Sequence, residues 1–129
     1  MPKWTLNTEF TFDAAHYIQD YEGSCGRIHG HTYRVKLEAA SCKLHESESC
    51  PRPVMVADFK TLRWAKRDQR KGGLDHCILN DVLPSEYATT AEMIAKFIYD
   101  KTKVTLPEGV MLKVAVSETP HSWATYEDE

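Results

Sequence analysis

Hydrophobic and polar residues alternate along three stretches of this chain, and each alternation predicts a strand with one buried face. Between Trp4 and Ala15, Phe10, Phe12, Ala14 and then His16 fall on one side, with Glu9, Thr11 and Asp13 on the other. From Thr32 to Ala40, Tyr33, Val35, Leu37 and Ala39 alternate with Arg34, Lys36 and Glu38. The run Val110 to Ser117 is the cleanest: Val110, Leu112, Val114 and Val116 point inward, and Glu118 continues that face. Shorter strands are expected at Val54–Ala57 and Trp123–Tyr126. The first two long strands are expected to pair as antiparallel neighbours.

Two segments carry helical periodicity instead. Asp58 caps one, with Phe59, Leu62 and Ala65 on one face, and Gly72-Gly73 stops it. Lys66, Arg67, Arg70 and Lys71 crowd its end, where cations suit the negative pole of a helix, so they read as solvated rather than as a binding patch. The second is signalled by a capping box, Thr89 as cap and Glu92 three residues on, ahead of a stripe of Met93, Ile94, Phe97 and Ile98. Tyr17–Ser24 reads as a loop, the polar Ser41–Pro53 as a long hairpin connection, and Pro107-Glu108-Gly109 as a turn. This order predicts an α+β fold, an antiparallel sheet with helices packed on one side.

Length and composition narrow the class without naming a function. At 129 residues the chain is expected to form a single domain, 1–129. A net charge of −3 with no extended Lys/Arg block gives no reason to expect a nucleic-acid partner. No apolar run is long enough to span a bilayer, and the opening Met-Pro-Lys-Trp-Thr is unlike a signal peptide, so a cytoplasmic location is expected. In that compartment Cys25, Cys42, Cys50 and Cys77 are expected as free thiols.

The chemistry concentrates in Cys25-Gly-Arg-Ile-His29-Gly-His31-Thr-Tyr33. Residues two apart on a strand point the same way, so His29 and His31 aim together across a side-chain-free Gly30. That pair alone also fits two ordinary surface histidines. His16 at the end of the neighbouring strand, and Cys25 four residues ahead of His29, shift the reading to a metal site. Three imidazoles without a fourth protein ligand are the donor set of a catalytic zinc ion, Zn2+. Cys25 beside a metal could act as a thiolate base, and Asp75-His76 could form a second acid/base unit. Glu118, a carboxylate on an apolar strand face, calls for a strong donor pair such as an amino-pyrimidine edge. Cys42, His45 and Cys50 have weak ligand spacing and read as part of a solvated loop.

Taken together, Phe-x-Ala-Ala-His, Cys-x-x-x-His-Gly-His-x-Tyr, Asp-Phe, Leu-Asp-His-x-x-Leu-Asn, Thr-Ala-Glu and Ser-Glu-Thr resemble the 6-pyruvoyltetrahydropterin synthase superfamily. The resemblance runs in order from about Phe10 to Glu118, and within the superfamily it is strongest to the 6-carboxytetrahydropterin synthases of the queuosine pathway. It implies the tunnelling fold: a four-stranded antiparallel sheet with two helices on one face. It also implies a homo-oligomer in which sheets join into barrel-like trimers and two trimers stack as a hexamer, with substrate at subunit interfaces. By resemblance, His16, His29 and His31 hold zinc, Cys25 with Asp75 and His76 are catalytic, and Glu118 anchors a pterin ring. Thr90 matches a pterin-binding threonine, whereas Ala91 stands where a hydroxyl residue is common. Arg27 is a candidate contact for phosphates.

The implied substrate is 7,8-dihydroneopterin triphosphate, converted to 6-carboxy-5,6,7,8-tetrahydropterin with release of acetaldehyde and triphosphate. The three residues between Cys25 and His29 favour this branch over the pyruvoyl-forming one, which typically has a longer gap. The competing expectations are 6-pyruvoyltetrahydropterin synthase, a zinc hydrolase, and a non-catalytic protein in which Cys25 closes a structural zinc site.

Overall fold

In the computed structural model, residues 2–128 are described. The first two strands, β1 (Trp4–His16) and β2 (His29–Ser41), run antiparallel in unbroken register. Trp4 lies opposite Ser41 and His16 opposite His29, so the expected pairing holds and both strands extend to include their histidines. A hairpin follows, β3 (His45–Ser47) with β4 (Cys50–Met55), then a single helical turn, α1 (Phe59–Leu62). Next come a two-residue strand, β5 (Cys77–Ile78), a second turn, α2 (Leu79–Val82), and the one long helix, α3 (Ala91–Lys103). The chain ends with β6 (Met111–Thr119) and β7 (Ser122–Tyr126).

The main sheet has five strands in the order β5-β1-β2-β6-β7. Its four long members are antiparallel, as the alternation predicts. The fifth is an addition: β5 pairs parallel with β1 through Ala14–Cys77 and Ala15–Ile78. Two residues carry no periodicity, so no sequence pattern announces it.

One face of this sheet is the core. Phe10, Phe12, Tyr33, Val35, Leu37, Val114 and Val116 are buried on it against Ile94, Ala95 and Ile98 of α3. Phe12 and Tyr33 stack with ring centroids 5.0 Å apart. Each such side chain contributes about 1.5–3 kcal/mol on burial, so this face outweighs any local propensity. It thereby fixes the register that carries the histidines. No helix among the described residues is long and apolar enough to cross a membrane.

Three sequence expectations are corrected. The helix expected from Asp58 to Lys71 lasts one turn. Asp58 caps it as expected, accepting from the Lys60 N–H at 2.9 Å. Arg63 then reaches back to β1, donating to Thr8 Oγ1 at 2.8 Å and to the Glu9 carbonyl at 3.0 Å. The chain continues as two 3-10 turns, Trp64–Lys66 and Gln69–Lys71. Leu62 and Ala65 are buried as expected, but Phe59 is 49% exposed. Lys66, Arg67, Arg70 and Lys71 are therefore not arrayed at the pole of a long helix. Second, the expected connection Ser41–Pro53 contains the β3–β4 hairpin, a separate two-stranded sheet. Pro51 and Pro53 are tolerated there because β4 has only one partner. Third, α3 is capped one residue later than expected. Thr90 accepts from the Met93 N–H at 3.2 Å, while Thr89 is engaged elsewhere.

Candidate metal centre and catalytic residues

The buried face of the sheet ends in three histidines. His16 closes β1, and His29 and His31 open β2 directly across from it. Their ring centroids lie 4.6, 5.1 and 4.9 Å apart, and one ring nitrogen from each falls within 4.8 Å of the others. Among the described residues this is the one group of metal-ligating side chains so placed. Cys42, His45 and Cys50 form no second group. All four cysteines are free, and Cys25 is not part of the histidine group.

Backbone carbonyls orient two of the rings. The Nδ1–H of His16 donates to the Thr89 carbonyl at 2.7 Å, and that of His29 to the Arg27 carbonyl at 2.6 Å. A carbonyl only accepts, so the proton sits on Nδ1 and each Nε2 keeps its lone pair free. Nε2 of His16 and of His31 is buried with no hydrogen-bond partner. Burial pushes the His16 imidazole below its ordinary pKa, outweighing the Thr89 carbonyl and the Glu118 carboxylate that pull it upward. Neutral rings with converging lone pairs suit a bound cation, which would satisfy both orphaned nitrogens.

Glu118 reaches the same place from β6. Its Oε1 lies 3.9 Å from His16 Nε2 and its Oε2 3.7 Å from His31 Nε2. The strand-face argument for Glu118 thus holds in position: the carboxylate is 29% exposed and points toward the histidines. It also lines an open depression with Ile18, Thr90, Glu92 and Trp123, between the start of α3 and the β6–β7 hairpin. Thr90 and Glu118 are therefore brought together, although the Thr90 oxygen is partly occupied by its capping bond. In sequence Glu92 reads only as a capping partner and Trp123 only as a strand residue, yet both line this depression.

Asp75 and His76 form the expected pair, with Asp75 Oδ2 2.7 Å from His76 Nδ1. Asp75 Oδ1 accepts from the Asp13 N–H at 2.8 Å, which holds its carboxyl below the ordinary range, and His76 adds to that effect. In turn the Asp75 carboxylate raises the His76 pKa by hydrogen bond and charge. His76 has φ +63°, a left-handed backbone that a non-glycine residue seldom adopts. Its N–H donates to the Asp13 carbonyl at 2.7 Å, which fixes that conformation against β1.

The pair does not join the histidine group. Asp13 and Thr32 are register partners whose side chains bond at 2.6 Å, and they alternate with Phe12, Ala14, His31 and Tyr33. They therefore project from the other face of the sheet. His76 lines an open depression there with Asp13, Thr32, Ile78 and Asp81, and Gly30 and His31 of β2 line it too. Cys25 sits in a 3-10 turn, Ser24–Gly26, four residues ahead of His29 and half-buried. Arg27 is exposed, and the contact it makes at the site is through its carbonyl, to His29.

Comparison with known proteins decides the lineage. A sequence model of the 6-pyruvoyl tetrahydropterin synthase family matches residues 5–129. The chain belongs to this family. It is 38% identical over 123 residues to the 6-carboxy-5,6,7,8-tetrahydropterin synthase of Synechocystis sp., covering 95% of this chain and 92% of that one. Human 6-pyruvoyl tetrahydrobiopterin synthase is 28% identical over 138 residues, covering 96% and 91%. Among solved structures, the 6-pyruvoyl tetrahydropterin synthase of Caenorhabditis elegans superposes with a TM-score of 0.71 at 24% identity, covering 100% of this chain and 98% of that one. The fold is the tunnelling fold of this family; in this chain its sheet has four antiparallel strands and the short parallel strand β5.

Proposed function

We propose that this pterin-synthase family member is a zinc-dependent lyase that converts 7,8-dihydroneopterin triphosphate to 6-carboxy-5,6,7,8-tetrahydropterin, releasing acetaldehyde and triphosphate. The observation that carries the reading is the convergence of His16, His29 and His31, with the Nε2 atoms of His16 and His31 unpartnered beside Glu118. Three neutral imidazoles would hold zinc and leave one position open. Bound there, zinc would supply Lewis-acid polarisation of the substrate's side-chain oxygens.

The chain's own residues divide the remaining work. Glu118 accepts hydrogen bonds from the amino-pyrimidine edge of the pterin, with Thr90 beside it, and so sets the ring's depth. Cys25 takes a proton from the substrate side chain, and His76, charged and oriented by Asp75, exchanges one from the other side. Arg27 is exposed where a triphosphate arm could reach it. Triphosphate leaves, and the bond between the first and second side-chain carbons breaks. The first carbon, with an oxygen from water, becomes the carboxylate, while the dihydropterin ring takes up the two electrons released, with two protons, and becomes the tetrahydropterin. The other two carbons leave as acetaldehyde.

Asp75 and His76 stand outside the histidine group of their own chain, and in this reading a second copy presents its pair across a subunit boundary. This favours the homo-oligomer that the sequence resemblance implies, a hexamer of two trimers. The carboxy-forming product is favoured by the three-residue Cys25–His29 spacing and by the name of the Synechocystis relative. The pyruvoyl-forming reaction is the second reading, favoured by the human relative. Incubating the zinc-loaded protein with dihydroneopterin triphosphate, and following acetaldehyde and pterin together, separates them. Acetaldehyde with the carboxy product is the expected result. Pyruvoyl product without acetaldehyde selects the sister reaction, and no turnover at all overturns both.

A further inference from the structure

Tyr17, the residue after His16, has its backbone held by side chains alone. Asn80 Oδ1 accepts from the Tyr17 N–H at 3.0 Å, and Asn80 Nδ2 donates to the Tyr17 carbonyl at 2.9 Å. Thr89 Oγ1 donates to the same carbonyl, also at 2.9 Å. An amide that satisfies both backbone groups of one residue does what a neighbouring strand would do. β5 supplies partners to Ala14 and Ala15 and then turns into α2. The Asn80 side chain, on α2, extends that edge by one further position.

The location matters because every ligand depends on this end of β1. His16 opposes His29 and Ala14 opposes His31, whereas pairing of β2 with β6 begins only at Arg34–Ser117. The two histidines of β2 are therefore braced on one side alone, by β1. His16 itself is fixed at its ring by the Thr89 carbonyl and through its backbone by the Asn80–Tyr17 pairing. Metal ligands must be held to within about 0.5 Å to act together.

We infer that Asn80 is a positioning residue of the metal centre, a side-chain substitute for a strand that, with the Thr89 hydroxyl, holds His16 in register with His29 and His31. The inference rests on the metal reading of that site. It is tested on the full chain by zinc affinity in chelator competition, by the visible spectrum of the cobalt-substituted protein, and by thermal unfolding of the metal-free form. Asn80→Ala is expected to weaken zinc binding 10- to 100-fold, the usual range for groups that orient ligands, and to change the cobalt spectrum. Asn80→Asp, nearly the same shape, is expected to weaken it as much, because a carboxylate oxygen would face the Tyr17 carbonyl. Thr89→Val should weaken binding, and Thr89→Ser, which restores the hydroxyl, should recover it.

An Asn80→Ala protein that melts earlier but binds zinc like the parent, with an unchanged cobalt spectrum, overturns the inference. If that variant does not fold, equal zinc affinity in Thr89→Val and Thr89→Ser overturns it instead. A parent chain that binds no zinc fails the metal reading itself and takes this inference with it. That outcome is distinguishable from a parent that binds tightly and variants that match it.

Discussion

Glu118 holds its carboxylate 3.7 Å from Nε2 of His31, close enough to feel the ligand cluster yet outside hydrogen-bonding range. A carboxylate so placed faces two partners, the cation the histidines would hold and a donor edge arriving from the neighbouring depression. Glu118→Gln should separate them. Charge-assisted hydrogen bonds are worth about 1.5–3 kcal/mol, so KM for the pterin substrate should rise about 10- to 100-fold. Metal content should stay at the parent level. Steady-state kinetics beside metal analysis of the same preparation checks both.

His29→Ala removes one of the three proposed ligands, the one whose orientation depends on the Arg27 carbonyl. Zinc stoichiometry should fall well below one per chain, with turnover lost and the apo fold retained. Chelation of the parent should likewise abolish turnover, and added zinc should restore it.

Cys25→Ala should abolish turnover while leaving zinc bound, because Cys25 lies outside the ligand group. Cys77 is the control. Its thiol donates to the Leu74 carbonyl, and burial pushes its pKa up to about 11, so it stays protonated at neutral pH. Iodoacetamide at pH 7 should inactivate the enzyme by modifying Cys25 and spare Cys77, as peptide mapping would show.

Asp75 raises the pKa of His76, so the imidazolium persists to higher pH than in an ordinary histidine. The stability that this pair contributes is present below the unfolded-state value and is lost as pH rises through the raised one. If the imidazolium is the form that acts, the basic limb of kcat/KM should lie at the raised pKa. Asp75→Asn should then move that limb to lower pH. Histidine NMR titration of parent and variant assigns the shift to His76.

Gly73→Ala tests the tight turn that delivers Asp75. A Cβ there would fall 1.9 Å from the Arg67 carbonyl oxygen, so the backbone must move. A loss of more than about 2 kcal/mol in thermal or denaturant unfolding is expected, the size that strain at a special backbone position produces. Gly72→Ala, where nothing lies within 4 Å, carries only the cost of its positive φ and should be milder.

The parts legible in the sequence are those governed by one dominant period. Val35, Leu37, Val114 and Val116 alternate because one sheet face is buried, and the same alternation carries His16, His29 and His31 to a common side. Where tertiary contacts outvote local preference, the sequence misleads. Thr89 and Thr90 are equally good caps. The choice between them is made by Tyr17 and His16, seventy-odd residues away, which engage Thr89 and leave the cap to its neighbour. The helix after Asp58 loses its continuation to Arg63, which bonds to β1, and to a turn that only Gly73 permits. The parallel strand β5 and the Asn80 pairing have no periodicity to read, since each is made of one or two residues.

On the proposed reading, the separation of Asp75–His76 from the three histidines makes each chain the owner of two half-sites. Dilution then acts as an inhibitor, because activity falls when subunits separate even though every chain remains folded and metal-loaded. It also makes defects complementary. A protein lacking His29 and one lacking His76, each inert alone, should regain turnover when unfolded together and refolded as a mixture. Some boundaries in that mixture join an intact histidine set to an intact acid/base pair.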